Sequence, residues 1–314
     1  MIDNDSKYAP IVVFAFNRLD SLKSTIASLL ENKEASSSDL FVYVDGPRQT
    51  IDGEFEKVEQ VKRYVESISG FHSLHYKFSD HNKGLANSII SGTTEIFESY
   101  DRLIVIEDDL FVSHSFLQFM NAMLDRFAHD ERIMQVSGYG CKLNKKAISD
   151  YPYDVYINER AHSWSWATWK DRWISVDWSV SDFETLSKSK TLIKKFNKRG
   201  SDLYGMLKDY MEGKNQSWYI RFNYSMHKQG RYSVMPIKSL VKNDGFGNNA
   251  TNCSGYNRYK VDFEIQHSGD FRVPDVLVPN EKIIRDSVRY WNLQYRVYGK
   301  FMTLINKLFY DITG

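Results

Sequence analysis

Short apolar runs, each followed by a stripe of apolar residues at helical spacing, alternate through the first 127 residues, and this alternation constrains the fold more than any other feature. Ile11-Val12-Val13-Phe14-Ala15-Phe16 reads as a buried strand between Pro10 and the polar pair Asn17-Arg18. Asp20 is then expected to cap a helix that places Leu22, Ile26, Leu29 and Leu30 on one face. A second strand, 40–44, runs into Asp45-Gly46-Pro47 and precedes the stripe Phe55, Val58, Val61, Val65 and Ile68. Strand 74–78, helix 85–98, strand 103–106 and helix 116–127 complete the series. Such a series predicts the α/β class, with a mostly parallel sheet covered on both faces by helices.

After Asp150 the texture changes to Trp- and Tyr-rich segments, notably 163–173 and 217–221. One domain over 1–280 is expected, with a nucleotide-binding half to about residue 140, an acceptor half beyond it, and a C-terminal amphipathic helix over 281–314. A Gly- and Asn-rich stretch, 245–255, reads as a lid loop.

Open parallel sheets bind ligands at the carboxyl ends of their strands. Here those ends carry Asn17-Arg18, Asp45, His81-Asn82-Lys83 and Glu107-Asp108-Asp109. Three consecutive carboxylates repel one another unless a cation sits among them, and a divalent metal shared with a diphosphate would supply it; an exposed acidic turn is the bland alternative. Arg18 suits a phosphate and Asp45 a base or ribose donor, although each alone is commonly a helix cap or a surface ion pair. His81 and Lys83 open a helix whose first N–H groups favour an anion. Trp164, Trp166 and Trp218, with Arg221, are candidates for a sugar subsite, set against packing in an aromatic core, the commoner fate of indoles.

Composition excludes several classes. Lys plus Arg total 41 against 40 Asp plus Glu, a net charge of +1, so no global field draws the chain onto nucleic acid. Cys141 and Cys253 are too few and too far apart for a disulfide framework or a thiolate zinc site, which fits a reducing compartment. Residues 1–10 lack leader character and no run of about 18 apolar residues occurs, so a cytoplasmic protein is expected. Neither metalloprotease histidine spacing, a G-x-S-x-G elbow nor a phosphate-loop lysine motif is present. Residues 285–310 combine Trp291, Tyr295, Tyr298, Phe301, Met302, Ile305, Leu308 and Phe309 with Arg285, Arg289, Arg296, Lys300 and Lys307. Base rates favour a helix docked on its own domain, and peripheral contact with an anionic membrane is the second reading.

The stretch Val105-Ile106-Glu107-Asp108-Asp109-Leu110-Phe111-Val112-Ser113-His114-Ser115-Phe116 resembles the metal-binding strand, acidic triplet and following helix of the GT-A glycosyltransferases. The group in view contains the N-acetylglucosaminyltransferase that initiates complex N-glycans. Segments 163–170, 217–221 and 239–247 are similar to bacterial capsule and lipopolysaccharide transferases. The resemblance covers about residues 10–255. It implies a GT-A, Rossmann-like fold and Asp109 as ligand of Mn²⁺ or Mg²⁺. Glu107 and Asp108 would contact ribose or metal-bound water, and Arg18, Asp45 and His81 fall where the family holds uridine diphosphate.

It further implies inverting transfer of a sugar, GlcNAc among the candidates, from a UDP-sugar to a hydroxyl of a glycan or lipid-linked oligosaccharide, in surface polysaccharide biosynthesis. Arg18 and Lys83 would assist electrostatically. Two departures stand out: Asn252 where bacterial relatives tend to have His, and Tyr219 where the eukaryotic family has its catalytic Asp. Asp244 and Glu212 are the candidate bases in its place. A sugar-nucleotide nucleotidyltransferase would need a Gly-rich loop, which Ala15-Phe16-Asn17-Arg18-Leu19 lacks, and a non-catalytic carbohydrate-binding protein gives no reason for the triplet.

Overall fold

The computed structural model describes residues 8–243 and 261–313. Its strands are β1 (Ile11–Ala15), β2 (Asp39–Val44), β3 (Ser73–Phe78), β4 (Arg102–Glu107), β5 (Leu110–Val112), β6 (Ile133–Ser137), β7 (Val155–Asn158), β8 (Trp166–Trp169), β9 (Tyr232–Pro236) and β10 (Val241–Asn243). Eight of them form one sheet in the order β3-β2-β1-β4-β8-β6-β9-β7, and β10 pairs with β5 separately. The β3-β2-β1-β4 block is parallel throughout, and β6 is parallel to β9. β8 runs antiparallel between β4 and β6, and β7 closes the far edge antiparallel to β9.

The helices are α1 (Leu19–Leu30), α2 (Glu54–Glu66), α3 (Leu85–Ile96), α4 (Phe116–Arg126), α5 (Lys145–Ile148) and α6 (Lys170–Ile174). They continue with α7 (Phe183–Lys188), α8 (Lys190–Asn197), α9 (Leu203–Met211), α10 (Trp218–Lys228), α11 (Glu281–Val288) and α12 (Leu293–Thr313). The strand period of two sorts β1 between the sheet's faces: Ile11, Val13 and Ala15 join the stripes of α1, α2 and α4, while Val12 and Phe14 join α3 and α10. All five β1 side chains are buried, as a central parallel strand requires. The fold is thus the expected α/β sheet flanked by helices.

Several expectations change. Asp20 does not cap α1 but lies inside its first turn, where a carboxylate suits the helix dipole; Arg18 holds the N-cap position without a capping side-chain bond. Leu30 and Phe55 fall off their stripes and are exposed. The C-terminal segment is not one helix: a single 3₁₀ turn, Arg289–Trp291, separates α11 from α12, and Ile283, Tyr290 and Trp291 belong to the main core.

Trp166 and Trp218 are corrected from sugar platforms to core. Trp166 is fully buried, stacked on Trp173 at 5.5 Å and 12°, with Trp218 at 5.0 Å and Phe222 at 6.2 Å. Trp218 is 3 % exposed, so neither indole has a face left for a ring to stack on. Arg221 is likewise structural: its guanidinium lies 4.6 Å from the Tyr210 ring and 5.6 Å from that of Trp178, and its Nε donates to the Ser217 carbonyl. Burial lowers its pKa.

Candidate active site

Register sets where the functional side chains meet. β1 pairs with β2 through Ala15 and Val44 and with β4 through Phe14 and Glu107, so the residues after these three strands emerge side by side. Because β8 enters the sheet antiparallel to β4, with Trp166 opposite Val105, the preceding loop arrives at the same edge. Trp164 in that loop is half-buried, edge-on to Tyr139 at 5.1 Å.

Asp45 is almost fully engaged by backbone. Its Oδ1 accepts from Gly46 N at 3.0 Å and Lys83 N at 2.8 Å, and its Oδ2 from Gly84 N at 2.9 Å. Two amides at the entrance to α3, expected to face an anion, are therefore taken by this carboxylate, which keeps one acceptor position on Oδ2. The loops after β2 and β3 close together here: a Cβ on Gly46 would lie 2.5 Å from the His81 backbone, and Asn82 Nδ2 donates to the Gly46 carbonyl at 3.0 Å. Gly46 and Asn82 thus build the site through backbone approach. The only local signal for either is a Gly-Pro after a strand and an Asn before a helix.

The cleft at this edge, about 210 Å³, is lined by Phe16, Arg18, Asp45, Arg48, Gly84 and Asp108, among others. Arg48 escaped sequence reasoning; its guanidinium lies 5.6 Å from the Phe16 ring and is held by the buried Glu54, whose Oε2 also accepts from Arg48 N. Asn17 Nδ2 donates to the same carboxylate. The exposed His81 and Lys83 side chains do not line this cleft, and Lys83 borders a smaller neighbouring cavity of about 110 Å³. A larger cavity of about 320 Å³, lined by Phe41, His75, Tyr76, Glu95 and Tyr100, lies among β2, β3 and the end of α3, and no triplet residue lines it.

The triplet carries the unusual electrostatics. Glu107 ends β4, Asp108 and Asp109 turn the chain, and β5 starts at Leu110. Arg18 bridges the two aspartates, Nη2 to Asp108 Oδ1 and Nη1 to Asp109 Oδ2 at 2.9 Å. Burial opposes the charge on Arg18, but Asp108 and Asp109 outweigh it and hold its pKa above the ordinary value. One guanidinium does not neutralise three acids. Burial, then repulsion from Asp109 and Asp108, pushes Glu107 up to about 8, and burial pushes Asp108 up to about 6 against the pull of Arg18. Asp109 Oδ1 is buried with no hydrogen-bond partner. Among the described residues no three His, Cys, Asp or Glu side chains close into a cation cage. A single buried carboxylate oxygen left without a donor is nonetheless the atom a divalent cation would use, and this donor set fits one.

Of the candidate bases, Glu212 is exposed beyond α9, held by Lys214 at 2.6 Å and Lys208 at 3.6 Å, which lower its pKa and leave it a weak proton acceptor. Asp244 and the 245–255 lid expectation lie outside the described residues. Asn243, the residue before Asp244, pairs with Leu110, the residue after Asp109. Tyr219 accepts a hydrogen bond from Arg160 Nε at 2.9 Å and presents no carboxylate.

A family model described as the GNT-I family matches residues 2–183, which contain the whole of this cluster. The Alpha-1,3-mannosyl-glycoprotein 2-beta-N-acetylglucosaminyltransferase of Arabidopsis thaliana is 24 % identical over 183 residues, 54 % of this chain. The match spans 40 % of that protein's length. Among solved structures, the crystal structure of S. aureus TarS overlaps 41 % of this chain and 21 % of its own at 11 % identity and a TM-score of 0.29.

Proposed function

Because this chain belongs to the GNT-I family, we propose that it is a glycosyltransferase taking its donor as a sugar nucleotide in the cleft beside Glu107-Asp108-Asp109. The observation that carries this reading is the under-neutralised triplet, with Asp109 Oδ1 buried and unpartnered, at the edge where Arg18, Asp45 and Arg48 also converge. UDP is the proposed nucleotide. Phe16 offers a face for its base, the remaining acceptor position on Asp45 suits a base or ribose donor, and Arg18 and Arg48 suit its phosphates.

Asp109 would hold Mn²⁺ or Mg²⁺, which when bound supplies charge to stabilise the leaving diphosphate. Arg18, bonded to Asp108 and Asp109 beside it, would add a second positive charge to the same site. Inverting displacement needs a carboxylate within hydrogen-bond reach of the acceptor hydroxyl, and Asp244 is the proposed base, supported by the Asn243–Leu110 pairing one residue from the triplet's end. The proposed acceptor is a glycan or lipid-linked oligosaccharide hydroxyl of a surface polysaccharide, with GlcNAc the proposed sugar.

Calorimetric titration of UDP into wild-type protein and Asp109→Ala, each with and without Mn²⁺, tests the donor site. Manganese-dependent binding lost in the variant is the expected result. UDP binding that ignores both the metal and the substitution contradicts the proposal.

A further inference from the structure

Helix α12 carries a face that no described part of the chain covers. Leu293, Val297, Phe301 and Leu304 recur at intervals of four, four and three, which sets them in one stripe, and each is between 57 and 64 % exposed. Tyr298 lies beside them, 48 % exposed. The opposite side faces the protein, with Gly299 buried and Tyr295 and Met302 half-buried. The helix is also anchored. Tyr290 and Trp291, just before it, are buried, the Trp291 carbonyl accepts from Ser201 Oγ at 3.0 Å, and the Tyr295 ring sits 5.2 Å from that of Tyr290. The stripe is therefore held outward by a buried base and is not the frayed end of a helix.

Charge says what kind of surface suits it. Between Asp286 and Asp311 the sequence has no acidic residue but has Arg289, Arg296, Lys300 and Lys307, in a chain whose totals are 41 and 40. Arg289 is tied to Asp286 at 2.6 Å. Arg296 is half-buried and close enough to the buried Asp202 to help lower its pKa, whereas Lys300, one turn on, is exposed and at 3.6 residues per turn borders the Leu293–Leu304 stripe. An apolar stripe with an exposed cation on its border matches a layer of acyl chains under anionic headgroups. Among the described residues no helix is long and apolar enough to cross a membrane, so the fitting geometry lies in the plane of the interface.

We propose that α12 docks this protein on an anionic lipid surface, inserting Leu293, Val297, Phe301 and Leu304 while the exposed Lys300 meets the headgroups. Lipid docking needs neither nucleotide nor metal, so it stands or falls separately from the transferase reading. The test floats the full chain with vesicles of phosphatidylcholine alone and of phosphatidylcholine containing one-third phosphatidylglycerol. Wild type is expected to bind the anionic vesicles at least about ten-fold more tightly, and Lys300→Gln to weaken that binding about five-fold. Phe301→Ser with Leu304→Ser should abolish it with an unchanged urea midpoint, since both side chains are exposed. Equal binding to both vesicles, or no binding to either, overturns the proposal. So does a wild-type dimer in sedimentation that the double variant converts to monomer without lipid binding ever appearing, because a second copy would then cover the stripe.

Discussion

Two buried charge clusters sit on opposite sides of the chain's midpoint, and they differ in how completely they are paired. In the second half Arg160 forms two parallel bonds to Asp202, at 2.8 and 2.9 Å, donates through Nε to Tyr219, and lies 4.7 Å from the Trp291 ring. Burial opposes the charge on Arg160, but Tyr219 and Asp202 outweigh it; burial likewise opposes the charge on Asp202, and Arg160 prevails by lowering its pKa. In the first half one guanidinium faces three carboxylates, two of them with raised pKa, and Asp109 Oδ1 has no donor. A complete pair locks elements together, here the loop before β8, α9, α10 and the base of α12. An incomplete one is tolerated where a carboxyl keeps its proton, as the raised Glu107 does, or where another cation supplies the missing charge.

Four substitutions sharpen or break this contrast, in descending size. Arg160→Met strands Asp202 in the interior and should cost about 3–5 kcal/mol in urea unfolding; a loss under about 1 kcal/mol would mean the pair is not a lock. Trp218→Ala removes a packed indole and should also cost about 3–5 kcal/mol. If that variant keeps its stability but loses acceptor use, the indole is a sugar platform after all. Asp202 is held below its ordinary carboxylate value, so its contribution is present above an unfolded pKa of about 4 and fades as pH falls through the folded value. Wild type should accordingly lose more stability between pH 5 and pH 2 than Asp202→Asn, and parallel losses would contradict the pairing. Smallest of all, Glu212→Gln should leave the urea midpoint unmoved and turnover within about two-fold of wild type; a large fall in turnover would restore Glu212 as the base.

The same contrast explains what was legible in the sequence. β1, β2, β4 and α1 to α4 follow from strands of near-continuous apolar residues and helices with one stripe, because the parallel block buries its inner strands whole and one face of each helix, while the half-exposed edge strand β3 is more polar. The triplet was legible as well, since it ends a buried strand. The second half is held by tertiary pairing: Arg160 finds Asp202 across 42 residues, and Trp166 meets Trp218 across 52, with no local period to betray either. That is why Trp166 and Trp218, candidates for a sugar subsite, lie in the aromatic core instead, and why β8 reverses direction unannounced. Arg48 escaped, and the backbone roles of Gly46 and Asn82 stayed hidden, for a related reason, as they depend on two loops that meet only in the folded chain.

The triplet is short of positive charge, and Asp109 is its proposed ligand for a divalent cation. Thermal unfolding of wild type and Asp109→Asn, with and without Mn²⁺, tests it directly. Removing one of three crowded carboxylates should leave the metal-free variant as stable as wild type or raise its melting temperature by about 2 °C. Mn²⁺ should stabilise wild type by an amount that grows with the logarithm of its concentration above the dissociation constant, and leave the variant unmoved. A variant that melts well below wild type, with Mn²⁺ shifting neither protein, would show that Arg18 already completes the cluster and that no cation belongs there.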